Sequence, residues 1–238
     1  MVHMHDTTCR SVFIAGGTGY IGAPFVHALV ARGHQVRALV REASRSHAMQ
    51  ILPAACEIVS GNALDAVSFS AAVAGCDTFV QMVGVPHPSP RKAREFRDID
   101  LASALAGMEA AAAQGVKHFV YLSVSQFAGG KAPAMRAYVA SRAEAEAQIA
   151  ARVATGTIAA TFLRPWYVLG PRHRWPILLK PLYRLAWLVP ALRANVENMG
   201  LVTRKEMVSA LVRAVENPAT AINVVGVPQI RETGISHR

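Results

Sequence analysis

The feature that constrains the fold most strongly is a glycine run near the start of the chain: Gly16, Gly19 and Gly22, spaced G-x-x-G-x-x-G. The apolar run at residues 11–15 is typical of a buried strand, and residues 23–32 carry apolar side chains at helical spacing. A strand, a glycine turn and a helix in this order indicate a dinucleotide site, because a turn without side chains lets backbone approach a pyrophosphate. An ordinary β-α turn is the alternative, but it leaves three glycines unexplained, since each costs chain entropy.

A separate structural role is predicted for each of the three glycines. Gly16 lets the chain turn sharply, Gly19 admits the backbone to the pyrophosphate, and Gly22 lets the helix pack close to the strand. The start of that helix would then offer N–H groups and a partial positive charge to the phosphates.

The rest of the chain alternates between strand-like and helix-like patterns. Apolar runs predict strands at residues 35–40, 57–59, 77–83, 117–123, 157–163 and 221–225. Helical spacing and cap residues predict helices at 65–74, 91–114, 135–152 and 204–216, two of them capped by Asp65 and Thr203. Such alternation predicts an α/β fold with a Rossmann-type, doubly wound parallel sheet and right-handed crossovers.

The last third of the chain changes character. We expect residues 10–171 to form the dinucleotide-binding domain, and residues 172–238 to form a small helical cap on the substrate side, integrated with the same domain. Residues 175–192 are rich in Leu, Trp and Pro and fit three roles: a pocket roof, a subunit contact, or a weak contact with a membrane surface. Three prolines argue against one long interfacial helix and favour the roof. The tail after Pro228 is expected to be irregular.

Arg41 directly follows the second predicted strand, about twenty residues beyond the glycine turn, where dinucleotide folds bind the adenosine ribose. A guanidinium suits a 2′-phosphate through paired hydrogen bonds, so NADP is favoured over NAD as the cofactor. Glu42 is the alternative: if the strand ended one residue later, its carboxylate would be the ribose ligand of an NAD site.

Composition limits the partners. The net charge of +10 is spread over modest groups, and no basic motif interleaved with aromatic residues is present, so we do not expect nucleic acid as a partner. No apolar run reaches the length of a membrane span. A small-molecule substrate is expected, with the chain acting as a monomer or a homodimer.

The three cysteines, Cys9, Cys56 and Cys76, are far apart and show neither metal-ligand nor redox spacing. The first ten residues are polar and lack the apolar core of a signal peptide. These features predict reduced thiols in a cytoplasmic protein without a metal site.

A second group of polar residues follows the fifth predicted strand. Ser123 and Ser125 lie at its exit, and Tyr138 and Arg142 are four residues apart on the next helix and share a face. Together with the glycine pattern and the Arg-Pro pair after the sixth strand, they resemble a short-chain dehydrogenase/reductase from about residue 12 to 171. More narrowly, the chain is similar to the atypical branch that holds epimerase/dehydratase-like members, NmrA-type redox sensors and an accessory subunit of respiratory complex I.

The resemblance implies an NADP-dependent oxidoreductase that transfers a hydride to or from a small carbonyl or alcohol substrate. Tyr138 would be the acid/base, and Ser125 would orient the substrate oxygen, with Ser123 as the second choice. The family's lysine position holds Arg142, a departure that keeps the charge but presents a planar fork. The departure also fits a non-catalytic NADP-binding sensor or assembly factor.

The same match implies further cofactor contacts. Asn62 stands where the family usually has an acid that reads the adenine amino group, and its side-chain oxygen could serve. The remaining implied contacts lie in the turn and at the ends of the fourth and sixth strands: Thr18, Tyr20, Ile21, Val83, Gly84, Pro165 and Trp166.

Overall fold

A computed structural model of the chain describes residues 9–85, 89–128, 135–171 and 199–235. The strands within the described residues are β1 (Ser11–Ala15), β2 (Gln35–Val40), β3 (Cys56–Ser60), β4 (Thr78–Gln81), β5 (His118–Leu122), β6 (Ala159–Leu163), β7 (Tyr167–Leu169), β8 (Leu201–Thr203) and β9 (Ile222–Val225). Seven of them are parallel and form one sheet in the order β3-β2-β1-β4-β5-β6-β9. Strand order reverses between β1 and β4, and in open α/β sheets ligands bind at this point, beyond the carboxyl ends of the strands. The predicted doubly wound parallel sheet is confirmed.

Helices cover both faces of the sheet, because successive residues of the strands point to opposite sides and both sides are apolar. In β1, Val12 and Ile14 join the core cluster that includes Leu29 and Leu211, whereas Phe13 joins the opposite cluster. The α-helices within the described residues are α1 (Gly22–Ala31), α2 (Arg45–Ile51), α3 (Ser70–Val73), α4 (Ala93–Glu95), α5 (Ala102–Ala113), α6 (Arg136–Val153), α7 (Arg204–Glu216) and α8 (Val227–Ile235).

The helix predicted at residues 65–74 is divided in two. Asp65 caps it as expected, accepting a hydrogen bond from the Val67 N–H at 3.1 Å, but the turn that follows, Ala66–Ser68, is a 3₁₀ helix. Phe69 then leaves the helical region with φ of −137°. Its buried ring lies 5.8 Å from that of Phe13, so packing against the core interrupts the helix.

The helix predicted at residues 91–114 also contains an irregularity. A π-helical segment, Phe96–Leu101, separates α4 from α5. A π-helical turn carries more residues than an α-helical turn and often occurs at functional sites. This segment packs against α6, and Asp100, one of the three residues that it buries, is central to the site described below.

The C-terminal region differs most from expectation. The predicted irregular tail is wrong: residues after Gly226 form α8, because Val227 and Ile230 bury their side chains in the core beside α7. Pro228 stands at the helix start, where a missing N–H removes no hydrogen bond. Strands β7 and β8 form a separate two-stranded parallel sheet that three-residue strands are too short to predict.

The start of α7 follows the sequence prediction. Thr203 is the N-cap and accepts a hydrogen bond from the Glu206 N–H at 3.2 Å, while the Glu206 carboxylate accepts one from the Thr203 N–H at 2.6 Å. The predicted roof, residues 175–192, lies outside the described residues. Among the helices of the described ranges, none combines the length and apolar character that a membrane crossing needs.

His118 should make stability pH-dependent. Its side chain is 1% exposed at the start of β5, with Nε2 2.9 Å from Thr161 Oγ1. Burial lowers the pKa of His118 from 6.5 to about 4, with a smaller contribution from Arg10. Between these values the unfolded chain binds a proton that the folded chain does not. We therefore expect this residue to reduce the free energy of unfolding by about 3 kcal/mol as the pH falls through that window.

Urea unfolding of the wild type and of His118→Asn over this pH range tests the expectation. The neutral amide can still pair with Thr161 but cannot take up the proton, so the variant should lose much less stability on acidification. Parallel pH curves for the two proteins would contradict the assignment.

Candidate functional site

The glycine turn joins β1 to α1 at the carboxyl edge of the sheet. Gly16 has a φ of +91°, and a Cβ there would lie 2.7 Å from the Met82 carbonyl carbon, so both the backbone angle and the space require glycine. A Cβ on Gly22 would collide with the Gly16 carbonyl oxygen. The helix therefore packs against the turn itself, where the sequence had suggested the strand.

The turn fits a diphosphate. A Cβ on Gly19 would meet only the Gly16 oxygen, at 3.3 Å, so the space beyond Gly19 is otherwise open. The N-terminus of α1 has no side-chain cap and no acidic residue in its first turn. The Ala23 N–H donates to the Gly19 carbonyl oxygen at 3.0 Å and Pro24 has no N–H, so the Gly22 N–H and the partial positive charge of the helix are what this terminus offers to an anion, as in a dinucleotide site.

Three side chains of the turn, those of Thr18, Tyr20 and Ile21, have different surroundings. The Tyr20 hydroxyl contacts Gly170, and the Arg204 guanidinium stacks 5.2 Å from its ring centroid. Burial raises the pKa of Tyr20, and Arg204 opposes the shift. Ile21 packs against the core, and Thr18 is half-buried. Tyr20 is therefore anchored to the region after β7, and its backbone remains in the turn.

The adenosine end of the predicted site lies where β2 and β3 end side by side, with Val40 opposite Ser60. Arg41 is exposed, and its guanidinium makes no hydrogen bond or ion pair with the described part of the chain. The Glu42 carboxylate instead accepts a hydrogen bond from the Ser60 hydroxyl, and Arg45 Nη1 donates to Ser60 Oγ at 3.1 Å. Of the two residues considered for the ribose end, Arg41 is thus unpaired among the described residues, whereas Glu42 is hydrogen-bonded to Ser60.

Asn62 is exposed, but its side-chain oxygen already accepts a hydrogen bond from the Leu64 N–H at 3.1 Å. The short side chain closes a local turn in this way, as asparagine often does. The sequence prediction gave this oxygen to the adenine amino group. The second lone pair of that oxygen is all that the local turn leaves for such a contact.

Arg142 lies on α6 and is almost fully buried. Its Nη2 pairs with Asp100 Oδ2 at 3.0 Å, and its Nη1 donates to the Leu122 carbonyl oxygen at 2.8 Å. The other oxygen of Asp100 accepts a hydrogen bond from the Val85 N–H at 2.7 Å. One ion pair therefore ties α6 and the π-helical segment to the exits of β4 and β5.

The guanidinium of Arg142 lies between two tyrosine rings, 5.6 Å from the Tyr121 centroid and 5.4 Å from the Tyr138 centroid. A Cβ on Gly84 would collide with Arg142 Nη2. Glycine at this position therefore makes room for Arg142, a reason that the sequence did not suggest. The half-buried Tyr138 also contacts the edge of the Phe96 ring, at a centroid distance of 5.2 Å.

Burial determines the protonation of this cluster. It raises the pKa of Tyr121 to about 12 and also raises the pKa of Asp100, although the Arg142 charge acts against both shifts. Burial alone would lower the pKa of Arg142, but Tyr121, Tyr138 and Asp100 outweigh it and raise that pKa above its ordinary value. Arg142 thus stays charged, and its ion pair with Asp100, together with the hydrogen bond from the Val85 N–H, favours the carboxylate form of Asp100.

The two candidate serines follow β5. Ser123 and Ser125 are 3% and 5% exposed, and the Ser125 N–H donates to the Pro165 carbonyl oxygen at 2.9 Å. Within the described ranges, Ser123 Oγ and Gln126 Nε2 are buried without a hydrogen-bond partner. Buried polar atoms are usually paired, so these two fit a polar ligand that completes the site.

An apolar wall stands next to Tyr138. Half-buried Trp166 packs with Tyr138 against buried Val124 and Val139, and Met199 joins them from the C-terminal part of the chain. Of the two residues predicted to lie beneath the ribose and nicotinamide, Gly84 contacts Arg142, as described above, and Val83 packs against the core on the α5 side. The structure thus brings the serines, Tyr138 and Trp166 together at one edge of the sheet.

Asp100 is the site residue that sequence reasoning missed. The only available signal was an acidic residue between Ile99 and Leu101 on a helix that must bury one face. Regular helical spacing does not show which acidic side chain turns inward, because the π-helical segment changes the spacing.

Comparison with known proteins agrees with this geometry. Residues 16–174, more than half of the chain, match the NAD(P)H-binding family. The chain is 50% identical over 62 residues to a 3-diazoavenalumate denitrifying reductase from Streptomyces, covering 26% of this chain and 18% of that protein. It is 33% identical over 125 residues to a 3 beta-hydroxysteroid dehydrogenase/Delta 5-->4-isomerase from Mycobacterium tuberculosis, covering 49% of this chain and 32% of that protein. The chain thus matches less than a third of the length of either relative.

Solved structures share the fold at low sequence identity. A Burkholderia thailandensis oxidoreductase of the short chain dehydrogenase/reductase family superposes with a TM-score of 0.67 at 20% identity, covering 94% of both chains. A UDP-galactose 4-epimerase gives a TM-score of 0.66 at 19% identity, covering 91% of this chain and 77% of that one. The chain therefore belongs to the NAD(P)H-binding family and has the Rossmann-type fold of atypical, epimerase-like short-chain dehydrogenases/reductases.

Proposed function

We propose that the protein is an NADP-dependent oxidoreductase that transfers a hydride to or from a small carbonyl or alcohol substrate. The observation that carries the proposal is the position of Tyr138 and two buried serines at the same sheet edge as the glycine turn. The names of the two curated relatives, a reductase and a dehydrogenase/isomerase, support the same class of reaction.

The cofactor would be held along this edge. The turn at residues 16–22 would bind the pyrophosphate, and Arg41 would bind the 2′-phosphate. The nicotinamide end would lie at the exits of β4 and β6, beside Gly84 and Trp166. When bound, NADPH supplies the hydride. Everything else in the reaction falls to side chains of this chain.

Tyr138 would donate a proton to the substrate oxygen in the reductive direction and accept it in the oxidative one. Ser125, with Ser123 as the second choice, would orient that oxygen through its hydroxyl group. Arg142 would act as a positioning residue, because its two terminal nitrogens already bond Asp100 and Leu122.

The engagement of Arg142 also favours a second candidate function, a non-catalytic NADP-binding sensor or assembly factor. If the cation at this position only holds the fold together, cofactor binding need not lead to turnover. Tight NADPH binding without oxidation across a broad panel of carbonyl compounds would favour this alternative.

Fluorescence titration with NADPH and NADH tests the cofactor assignment. We expect the wild type to prefer NADPH and Arg41→Asp to bind NADPH about ten- to a hundredfold more weakly, since a charge-assisted hydrogen bond is lost and a like charge is introduced. Exposed Arg152 on α6 offers a matched control, Arg152→Asp, which should leave both affinities unchanged.

Two results would contradict the assignment. If the wild type bound neither dinucleotide at micromolar concentration, the proposed function would be wrong. If it bound both equally well and Arg41→Asp changed neither affinity, the choice of NADP would be wrong.

A further inference from the structure

Two opposite charges follow β2 directly, and the structure separates them. Arg41 is exposed and has no partner among the described residues, whereas the Glu42 carboxylate is bonded to Ser60, the last residue of β3. Adjacent in sequence, these residues favour opposite cofactors: a cation favours a 2′-phosphate, and a carboxylate favours free ribose hydroxyls.

Ser60 is held in place from its other side. Arg45 Nη1 donates to Ser60 Oγ at 3.1 Å and to the Ile58 carbonyl oxygen at 3.3 Å, so its guanidinium lies along the end of β3. With Arg45 as donor to its oxygen, the Ser60 hydroxyl group is free to donate its own proton to Glu42. The carboxylate is therefore drawn toward β3 by a hydroxyl group that a cation polarises.

Glu42 and Arg45 do not form a direct ion pair within the described residues: Ser60 connects them. In its absence, the Glu42 carboxylate would lose this hydrogen bond and, unless Arg45, which would lose its bond to the same oxygen, paired with it directly, would be free to turn toward its neighbour Arg41. A carboxylate there would repel a 2′-phosphate, pair with Arg41, or bond the ribose hydroxyls of NAD.

We propose that Ser60 is a specificity-determining residue of the cofactor site, which favours NADP by holding the Glu42 carboxylate against β3. The proposal rests on the proposed function, because it assumes a dinucleotide in the glycine turn. It assigns Ser60 no contact with the phosphate.

The test is a set of NADPH and NADH titrations of the purified full chain, followed by nicotinamide fluorescence. For Ser60→Ala we expect the ratio of the NADH to the NADPH dissociation constant to fall about five- to tenfold. That is the size of effect expected when one charge moves to within a few ångströms of another in a solvent-exposed site. Ser46→Ala, an exposed serine on α2, is the matched control and should leave the ratio unchanged.

A double variant separates this role from a direct one. Removing the charge with Glu42→Gln should restore the NADPH preference of Ser60→Ala, because the released side chain would no longer repel phosphate. The gain from Glu42→Gln should be larger in the Ser60→Ala background than in the wild type, where the carboxylate is already held away.

The outcomes are distinct. If Ser60→Ala leaves the ratio unchanged, or if Glu42→Gln does not rescue it because Ser60 itself bonds the phosphate, the proposal is wrong while the proposed function stands. If the wild type binds neither dinucleotide, the proposed function fails first. Melting temperatures of all variants, expected to remain within a few degrees of the wild type, show that each protein folds.

Discussion

Replacing Asp100 with alanine is expected to lower the free energy of unfolding by about 3–5 kcal/mol. The carboxylate is fully buried, and its partner Arg142 has a side chain that is only 6% exposed. The variant leaves a guanidinium in the interior without its anion, and it also removes the acceptor of the Val85 N–H. Removing one member of a buried ion pair costs far more than the pair contributes.

Urea denaturation of Asp100→Ala measures this loss. Asp98→Ala is the control, because Asp98 lies in the same π-helical segment and is exposed, and its loss should change stability by no more than about 0.5 kcal/mol. The double variant Asp100→Leu/Arg142→Met removes both charges and should be less destabilised than Asp100→Ala. Equal losses for Asp98→Ala and Asp100→Ala would show that the pair does not hold the site together.

Tyr138→Phe should reduce kcat by about 10²- to 10⁴-fold with the best substrate found in a carbonyl panel, because the ring remains but the proton donor is gone. The apolar contacts of the ring with Phe96 and Trp166 are preserved. The dissociation constant for NADPH should therefore change less than about twofold.

Tyr167→Phe on β7 is the matched control, since it removes the same hydroxyl group from a half-buried tyrosine outside the proposed proton-transfer group. It should leave kcat close to that of the wild type. Unchanged kcat in Tyr138→Phe would show that the proton donor is assigned wrongly. A loss of NADPH binding would show that this hydroxyl group serves the cofactor site.

The parts of the fold that sequence predicted are those with local causes. The apolar run of β1, the positive φ of Gly16 and the capping box from Thr203 to Glu206 each depend on residues close together in the chain. Such signals survive whatever the rest of the protein does, so the parallel sheet and the turn could be predicted from them.

The features that sequence missed have distant causes. The helix α8 forms because Val227 and Ile230 find space beside α7, which no local pattern reveals. Asp100 turns inward because a cation 42 positions further along the chain meets it there.

The π-helical segment has one more consequence. Phe96, at its start, meets Tyr138, whereas Leu101, at its end, faces the sheet core with Met108. An uninterrupted α-helix turns about 100° per residue and would place Leu101 about 140° from Phe96 around the axis, so it could not bury both of them together with Asp100; the wider π-helical turn brings the three closer to one face. The extra residue resets the angular phase halfway along the helix. Deletion of one residue between positions 96 and 101 would therefore disturb the contact of Phe96 with Tyr138 before it disturbed the packing of Leu101 in the core.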